Sequence, residues 1–243
     1  MRVLALDTTT RAGSVAIVID DRVVDERSGD PARTHAERLP AEMLAIAAAN
    51  QTPLAGVDLF AVASGPGSFT GLRIGIATAQ GLAFVQGRRM VGIPALLVLA
   101  QCASADLPAG SLVAAWMDAY RRDVFSGLYR VTDAPLFDPD RLVELDPPSV
   151  DTPEATWARW SRDFGAPAAV IGDGAVKYRE TITSGRVLPS PLLAGAIGRL
   201  AVEYARRGGA VQPSAIHPLY VRRPDAEVAR ENSPPPRTRG TPR

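Results

Sequence analysis

The sequence predicts an α/β protein built from two lobes of related topology, because one pattern occurs twice along the chain. The apolar run 3–6 indicates a buried strand, ends at Asp7, and is followed by a polar turn and a further strand. The apolar run 112–117 ends at Asp118 in the same way, and the alternating strand 124–129 follows it. Duplication of one unit is the simplest explanation, and a chance likeness between two hairpins is the alternative.

The lobes are predicted to divide where this pattern restarts. We expect an N-terminal lobe over residues 1–107, a C-terminal lobe over residues 108–223 and a disordered tail over residues 224–243 of the 243-residue chain. The tail contains five prolines, no aromatic residue and almost no aliphatic residue. Such a segment cannot bury enough apolar surface to offset the entropy of ordering its backbone.

Composition excludes several classes of function. The net charge is +1, so no strong field recruits nucleic acid or an anionic membrane. The single cysteine, Cys102, excludes an internal disulfide and a cysteine-based metal cluster. No secretory leader is recognisable, and the longest uncharged stretch, 90–105, is too short and too broken to span a bilayer. We therefore expect a cytoplasmic protein without membrane contact.

Short strands and helices account for most of both lobes. Further strands are predicted over residues 14–19, 22–26, 59–63, 90–93 and 168–171. Helices are predicted over residues 72–85, 153–164 and 192–207, together with one that starts after Pro94. Asp20 and Asp21 indicate a tight hairpin between the second and third strands.

An additional helix is predicted to follow Thr34. Thr34 and Glu37 have the spacing of a capping box, in which each residue bonds the backbone of the other. Pro40 falls inside this helix, so we expect either a kink or a start nearer to Pro40. The helix carries three apolar residues on one face: Leu39, Met43 and Ile46.

The most informative segment is the glycine-rich sequence Gly65-Pro66-Gly67-Ser68-Phe69-Thr70-Gly71 between a predicted strand and a predicted helix. Backbone N–H groups and the positive end of the helix dipole suit an anion at such a place. The segment is not a Walker A loop, since no Gly-Lys-Ser/Thr follows, and Thr70 stands where the dinucleotide fingerprint needs its third glycine. A tight turn that requires glycine for its positive φ is the alternative.

The helix after this loop carries a small residue at every fourth position: Gly71, Gly75, Ala79 and Ala83. A glycine inside a helix costs about 0.5–1 kcal/mol relative to alanine, so some interaction must offset that cost. We predict that this stripe is a face on which a second polypeptide packs, with Leu72 and Ile76 on its flanks. Packing against the chain's own sheet or helix is the alternative.

Polar residues at strand ends form a candidate nucleotide site. Asp7 and Asp118 end buried strands, at the sheet edge where α/β proteins bind ligands, and paired carboxylates there could hold Mg²⁺ beside a phosphate. For each aspartate, capping of the next turn is the alternative. The candidate phosphate or nucleotide site comprises Asp7, Thr8, Thr9, Gly65, Gly67, Ser68, Asp118, Gly172, Asp173 and Gly174.

The sequence supplies no catalytic residue and no metal site. Neither His35 nor His217 belongs to a helical zinc motif, and no Gly-x-Ser-x-Gly elbow occurs. Arg121 and Arg122 follow Asp118 and are compatible with phosphate or RNA, although solvated surface arginines are the simpler interpretation. Aromatic and basic residues do not interleave along the chain as in an autonomous RNA-binding surface.

Together these segments resemble the TsaB (YeaZ) family, bacterial subunits of the tRNA threonylcarbamoyladenosine modification machinery. The resemblance rests on residues 4–9, 65–75 and 81–84, with weaker matches at 118–119, 124–125, 172–174 and 218–222. It covers nearly the whole chain except the tail. The resemblance implies the actin/Hsp70/sugar-kinase fold, which consists of two ribonuclease-H-like lobes.

The resemblance also implies partners. A homologous catalytic subunit, TsaD, transfers threonylcarbamoyl to the adenosine beside the anticodon; TsaB pairs with TsaD as a heterodimer, and the ATPase TsaE joins them. It implies that tRNA is reached indirectly through the complex and that no cofactor is required. Weak binding of ATP or ADP with Mg²⁺ at or near the complex interface stays open, as does a homodimer of the isolated chain. TsaD carries a metal-binding H-x-x-x-H, whereas the corresponding residues 92–99 contain no histidine here, which favours a non-catalytic partner.

In this family the helix after the glycine loop and the preceding helix form the pairing face. The resemblance therefore assigns the partner interface to Leu39, Met43, Gly71, Leu72, Gly75, Ile76, Ala79 and Ala83. The alternative function is an autonomous ATP-dependent kinase or ATPase of the same fold; a metallopeptidase is a third, which two histidines support poorly. The turn after Asp118 departs from the family pattern Asp-Ala-Arg-Arg-Gly-Glu, because Tyr120 precedes the two arginines here.

Overall fold

The chain folds around two five-stranded mixed sheets, seen in a computed structural model that describes residues 1–222. The predicted tail, 224–243, lies outside the described residues. The first sheet contains β1 (Arg2–Asp7), β2 (Ser14–Ile19), β3 (Arg22–Ser28), β4 (Leu59–Gly65) and β5 (Arg89–Pro94). The second contains β6 (Leu112–Asp118), β7 (Val124–Val131), β8 (Leu142–Asp151), β9 (Ala169–Ile171) and β10 (Arg186–Leu188). The α-helices of the described part are α1 (His35–Ala49), α2 (Phe69–Val85), α3 (Ala95–Ala103), α4 (Pro153–Asp163), α5 (Asp173–Lys177) and α6 (Ala194–Arg206).

The two sheets have the same topology. The first runs β3-β2-β1-β4-β5, with β1 antiparallel to β2 and parallel to β4. The second runs β8-β7-β6-β9-β10, with β6 antiparallel to β7 and parallel to β9. Strand order and direction thus confirm the predicted duplication and the actin/Hsp70/sugar-kinase fold class.

Each sheet is covered in part by a helix from the other half of the chain. Helix α6, which its position along the chain assigns to the second lobe, packs across all five strands of the first sheet. Gly198 permits this approach, because a Cβ there would lie 2.5 Å from a methyl group of Val18. Helix α3 precedes the second sheet yet packs on β6, β7, β8 and β9. This exchange of helices joins the lobes. The division of the sequence between residues 107 and 108 stays a prediction.

Local signals placed most elements correctly, with three differences. Helix α1 begins directly after Thr34, so the expected start near Pro40 is wrong; the Glu37 carboxylate accepts hydrogen bonds from the Thr34 N–H and hydroxyl, each at 2.7 Å. Helix α2 begins at Phe69, earlier than predicted, because the Ser68 hydroxyl caps it by accepting from the Gly71 N–H.

The third difference concerns β8, β10 and α5, which sequence patterns did not reveal. Strand β8 contains Pro147 and Pro148 and lies at the edge of its sheet, where missing backbone donors are tolerated. Sequence patterns place Asp173 in the candidate nucleotide site without predicting a helix there, and Asp173 begins α5. None of the described helices combines the length and apolarity needed to cross a membrane.

Arg141 fixes the connection between the two halves of the chain. Its guanidinium donates to the carbonyl oxygens of Ser104 and Leu107, in the segment after α3, at 2.8 and 3.1 Å. It also donates to the carbonyl oxygens of Thr132 and Ala134, at 2.8 and 3.0 Å. One side chain therefore satisfies four backbone acceptors that no regular element pairs.

Replacement of Arg141 by alanine should destabilise the protein by about 2–4 kcal/mol, since hydrogen bonds from a charged donor contribute about 1.5–3 kcal/mol each and are not additive. Urea unfolding followed by far-UV circular dichroism measures the change. Arg162→Ala is the matched control, because that side chain is exposed and pairs only with its neighbour Asp163. Equal unfolding midpoints for the two variants would contradict this role of Arg141.

Candidate functional site

The candidate site lies where β1, β4, β6 and β9 end, and Asp7 is its most buried carboxylate. The Asp7 carboxylate accepts hydrogen bonds from the N–H and the hydroxyl of Thr9, at 2.8 and 2.7 Å. Burial raises the pKa of Asp7 above its ordinary value, the Thr9 hydrogen bonds and His35 oppose that rise, and Asp173 adds to it. Asp7 therefore fixes the first turn of the site while its charge is poorly solvated.

A histidine–arginine pair that the sequence did not reveal holds the loop between β1 and β2. Arg38 donates to Nδ1 of His35 at 3.0 Å, so Nε2 carries the ring proton and donates to the Thr10 carbonyl at 2.9 Å. Burial lowers the pKa of His35, and the charge of Arg38 acts in the same direction. The Arg38 guanidinium also donates to the Ala12 carbonyl and forms an ion pair with Glu42.

A second carboxylate, Glu26, meets the N-terminus of α6. It accepts a hydrogen bond from the Gly195 N–H at 2.8 Å, next to Ala194, whose N–H donates to the Ser14 hydroxyl at 3.0 Å. Burial raises the pKa of Glu26, and the nearby charge of Asp7 adds to that rise. Asp7 and Glu26 thus lie at the same end of the first sheet, and Glu26 stabilises the N-terminus of α6.

Asp118 behaves as the turn-capping aspartate that the sequence left as an alternative. One carboxylate oxygen accepts from the Lys177 ammonium at 2.7 Å and the other from the Tyr120 N–H at 3.1 Å. The Asp118 N–H in turn donates to Asp173 at 3.0 Å. Both oxygens of Asp118 are therefore engaged by the protein itself.

The glycines of the candidate nucleotide site make room for the chain's own atoms. A Cβ at Gly65 would lie 2.8 Å from the Leu219 carbonyl oxygen, and one at Gly67 would lie 2.6 Å from Cβ of Thr9. In the second lobe, a Cβ at Gly172 would collide with the Trp116 carbonyl, and one at Gly174 would lie 2.8 Å from the Met117 carbonyl carbon. Internal packing explains these glycines, and nucleotide binding stays a prediction.

The structure contradicts the prediction that the small-residue stripe of α2 faces a partner. A Cβ at Gly71 would collide with the Thr8 carbonyl oxygen, and one at Gly75 with the Thr8 hydroxyl. The remaining residues of the predicted interface are also buried within the chain: Leu39, Met43, Leu72, Ile76, Ala79 and Ala83. All of them except Leu72 belong to one apolar core over the first sheet, so the alternative of packing against the chain's own sheet is correct.

The opposite sides of α1 and α2 are exposed and mainly apolar. We call this face the α1/α2 surface; it comprises Ala41, Leu44, Ala45 and Ala48 of α1 with Ala77, Gly81 and Phe84 of α2. Leu44 is 55% exposed and Phe84 is 80% exposed. Beside Leu44 and Ala48 lies an apolar groove of about 450 Å³. Apart from its neighbours and the backbone of its own helix, no described atom lies within 4 Å of the position that a Cβ on Gly81 would take.

Comparisons with known proteins find relatives that are named for tRNA threonylcarbamoyladenosine biosynthesis. The family described as "TsaD: tRNA N6-adenosine threonylcarbamoyltransferase" matches residues 29–143. The "tRNA threonylcarbamoyladenosine biosynthesis protein TsaB" of Escherichia coli is 38% identical over 54% of this chain and 55% of its own length, so the match spans little more than half of that relative. An uncharacterized protein of Mycobacterium tuberculosis is 34% identical over 93% of both chains. The solved structure "YeaZ from Pseudomonas aeruginosa" superposes with a TM-score of 0.74 at 31% identity, covering 90% of this chain and 99% of that chain.

Two glycines of α2 offer a matched pair of substitutions. Gly75→Ala should destabilise the protein by about 1–3 kcal/mol, because overpacking against Thr8 forces a shift. Gly81→Ala should stabilise it by about 0.5–1 kcal/mol, because alanine favours the helix and nothing of the chain obstructs it. Denaturant unfolding of both variants measures these effects, and equal shifts of the same sign would contradict the described packing.

Asp7→Asn should raise stability at neutral pH, because asparagine can keep the acceptor for Thr9 without a buried charge. The folded-state pKa of Asp7 is raised, so ionisation of Asp7 lowers the stability of the folded protein. This loss of stability is absent when the pH is below the ordinary pKa of 3.8, and it grows as the pH rises from there to the raised pKa. Unfolding midpoints of parent and variant should therefore converge in acid and separate towards neutral pH. Parallel pH curves would contradict the burial of a charged carboxylate.

Proposed function

Because the chain belongs to the TsaB (YeaZ) family, we propose that it acts in tRNA threonylcarbamoyladenosine biosynthesis as a non-catalytic subunit that pairs with a TsaD catalytic subunit. The names of the Escherichia coli and Haemophilus influenzae relatives support the pathway. The TsaD family match over residues 29–143 supports common ancestry with the proposed partner. A TsaE ATPase completes the proposed complex.

The α1/α2 surface carries the pairing proposal. Gly81 lies inside a helix, where glycine costs about 0.5–1 kcal/mol relative to alanine, and no contact within the described chain explains it. A helix of another polypeptide that crosses closely at Gly81 would offset this cost. The exposed ring of Phe84 and the Leu44 side chain supply apolar area around that crossing, as the centre of a stable interface requires.

The chemistry is proposed to belong to the partner. Burial raises the pKa of the Cys102 thiol to about 12, so this cysteine stays protonated and is a poor nucleophile. Asp118 is paired with Lys177, and Asp7 is enclosed by its own turn. In the absence of TsaD, a second copy of the chain is the proposed occupant of the same surface.

Gly81→Leu should weaken pairing with TsaD, because a bulky side chain holds the two helices apart, while the folded chain stays stable. Co-purification of tagged TsaD with the variant measures pairing, and reconstituted threonylcarbamoylation of tRNA measures its consequence. We expect pairing to weaken at least about 30-fold, the effect of losing a principal contact of an interface.

Ala158→Arg is the matched control for this experiment, since Ala158 is exposed on α4 in the other lobe. The control should pair and modify tRNA as the parent chain does. Normal pairing of Gly81→Leu would refute the proposed interface, and full tRNA modification without this chain would refute the proposed function.

A further inference from the structure

Three side chains at the start of α2 and in the C-terminal segment form an exposed aromatic–cation cluster. The rings of Phe69 and Tyr220 are stacked, with centroids 5.0 Å apart. The Arg73 guanidinium lies 4.0 Å from the Phe69 centroid, and its Nε donates to the Tyr220 hydroxyl at 2.8 Å. Phe69 is 39% and Tyr220 is 38% exposed. The cluster is therefore held in place by its own contacts while both rings remain accessible.

The C-terminal segment joins this cluster to the turn between β6 and β7. Leu219 donates its N–H to the Ser64 carbonyl at 2.7 Å, next to the glycine loop. Three residues later, the Arg222 guanidinium donates to the Ala119 carbonyl at 2.7 Å and forms an ion pair with Asp123. Residues 219–222 thus span from the first lobe to the second.

The turn itself holds three consecutive residues in the left-handed region. Tyr120, Arg121 and Arg122 have φ values of 57°, 53° and 70°, which are unfavourable for residues with a side chain. Backbone hydrogen bonds from Ala119 to Asp123 and from Asp123 to Tyr120 close the turn at 3.0 and 2.9 Å. The strained backbone presents an aromatic ring that is 68% exposed beside exposed arginine side chains.

Two acidic groups at the turn between β6 and β7 are paired with cations within the chain. Lys177 neutralises Asp118, and Arg222 neutralises Asp123. Arg73 and Arg122 remain as exposed cations beside the rings. The surface therefore combines accessible aromatic rings with an excess of positive charge.

We propose that this aromatic–basic surface, formed by Phe69, Arg73, Tyr120, Arg122 and Tyr220, binds unpaired nucleotides of RNA directly. Exposed rings stack on the faces of unstacked bases, and arginines bind the phosphates between them, which is how proteins recognise single-stranded RNA. Identification of that RNA as tRNA rests on the proposed function. The five residues come from three separate segments, which the contacts of residues 219–222 with both lobes connect.

Fluorescence anisotropy of the full chain with a labelled anticodon stem–loop RNA, in low salt of about 50 mM, tests this proposal. Tyr120→Ala should weaken binding about 5- to 100-fold, as loss of one stacked base does, whereas Tyr120→Phe should retain the affinity of the parent. A fully paired RNA duplex of the same length should bind more weakly than the stem–loop. Arg162→Ala, an exposed arginine on α4, should leave binding unchanged.

Arg122→Gly separates binding from folding. Glycine accepts a φ of 70° without strain, so the melting temperature should stay equal or rise. RNA affinity should fall, and the slope of log affinity against log salt should decrease by about 0.7 for one lost phosphate contact.

Four results would overturn the proposal. The first two are no binding of the stem–loop by the parent chain at about 0.1 mM, and an RNA affinity of Tyr120→Ala and Arg122→Gly within about twofold of the parent. The other two are a loss of affinity in Arg162→Ala as large as in Tyr120→Ala, and binding of the duplex as tight as that of the stem–loop. Co-purification with TsaD distinguishes a failure of the RNA-binding proposal from a failure of the proposed function. Tyr120→Ala should pair with TsaD like the parent chain. If the parent chain itself fails to pair, that result counts against the proposed function and does not affect the RNA-binding result.

Discussion

The contact between Thr8 and the glycine face of α2 is the constraint on which the rest of the site depends. Gly71 and Gly75 allow the helix to lie directly on the end of β1, and a Cβ at either position would collide with Thr8. This contact sets the rotation of α2 about its axis and therefore decides which side chains reach solvent. The same approach places Gly67 against Thr9 and encloses Asp7 under the glycine loop.

Periodicity in the sequence predicted most strands, most helices and the repeat of two units, but it could not give the rotation of α2. A row of small residues is compatible with contact to the chain's own sheet and with contact to a partner, because both require close approach of backbone. Ala77 and Gly81 form a second, shorter row on the same helix, and only the position of Thr8 shows which row is internal.

Long-range contacts account for the remaining features that sequence reasoning missed. The contacts of His35 with Thr10 and of Arg38 with Ala12, and the approach of Glu26 to α6, join residues far apart along the chain. Proline residues in β8 hid a strand that only its edge position makes acceptable. Segments far apart along the chain assemble the aromatic–basic surface, so composition could not indicate it. Local sequence patterns predict helices and strands, whereas the site depends on how those elements pack together.

The exchange of α3 and α6 between sheets also governs how the chain emerges from the ribosome. One face of the first sheet, including Val3 and Ala61, is covered by residues of α6 such as Ile197 and Leu200. During synthesis that face stays open to water until more than a hundred later residues have been translated, so it is a target for chaperones and a hazard for aggregation. A chain that ends before α6 therefore cannot complete this core.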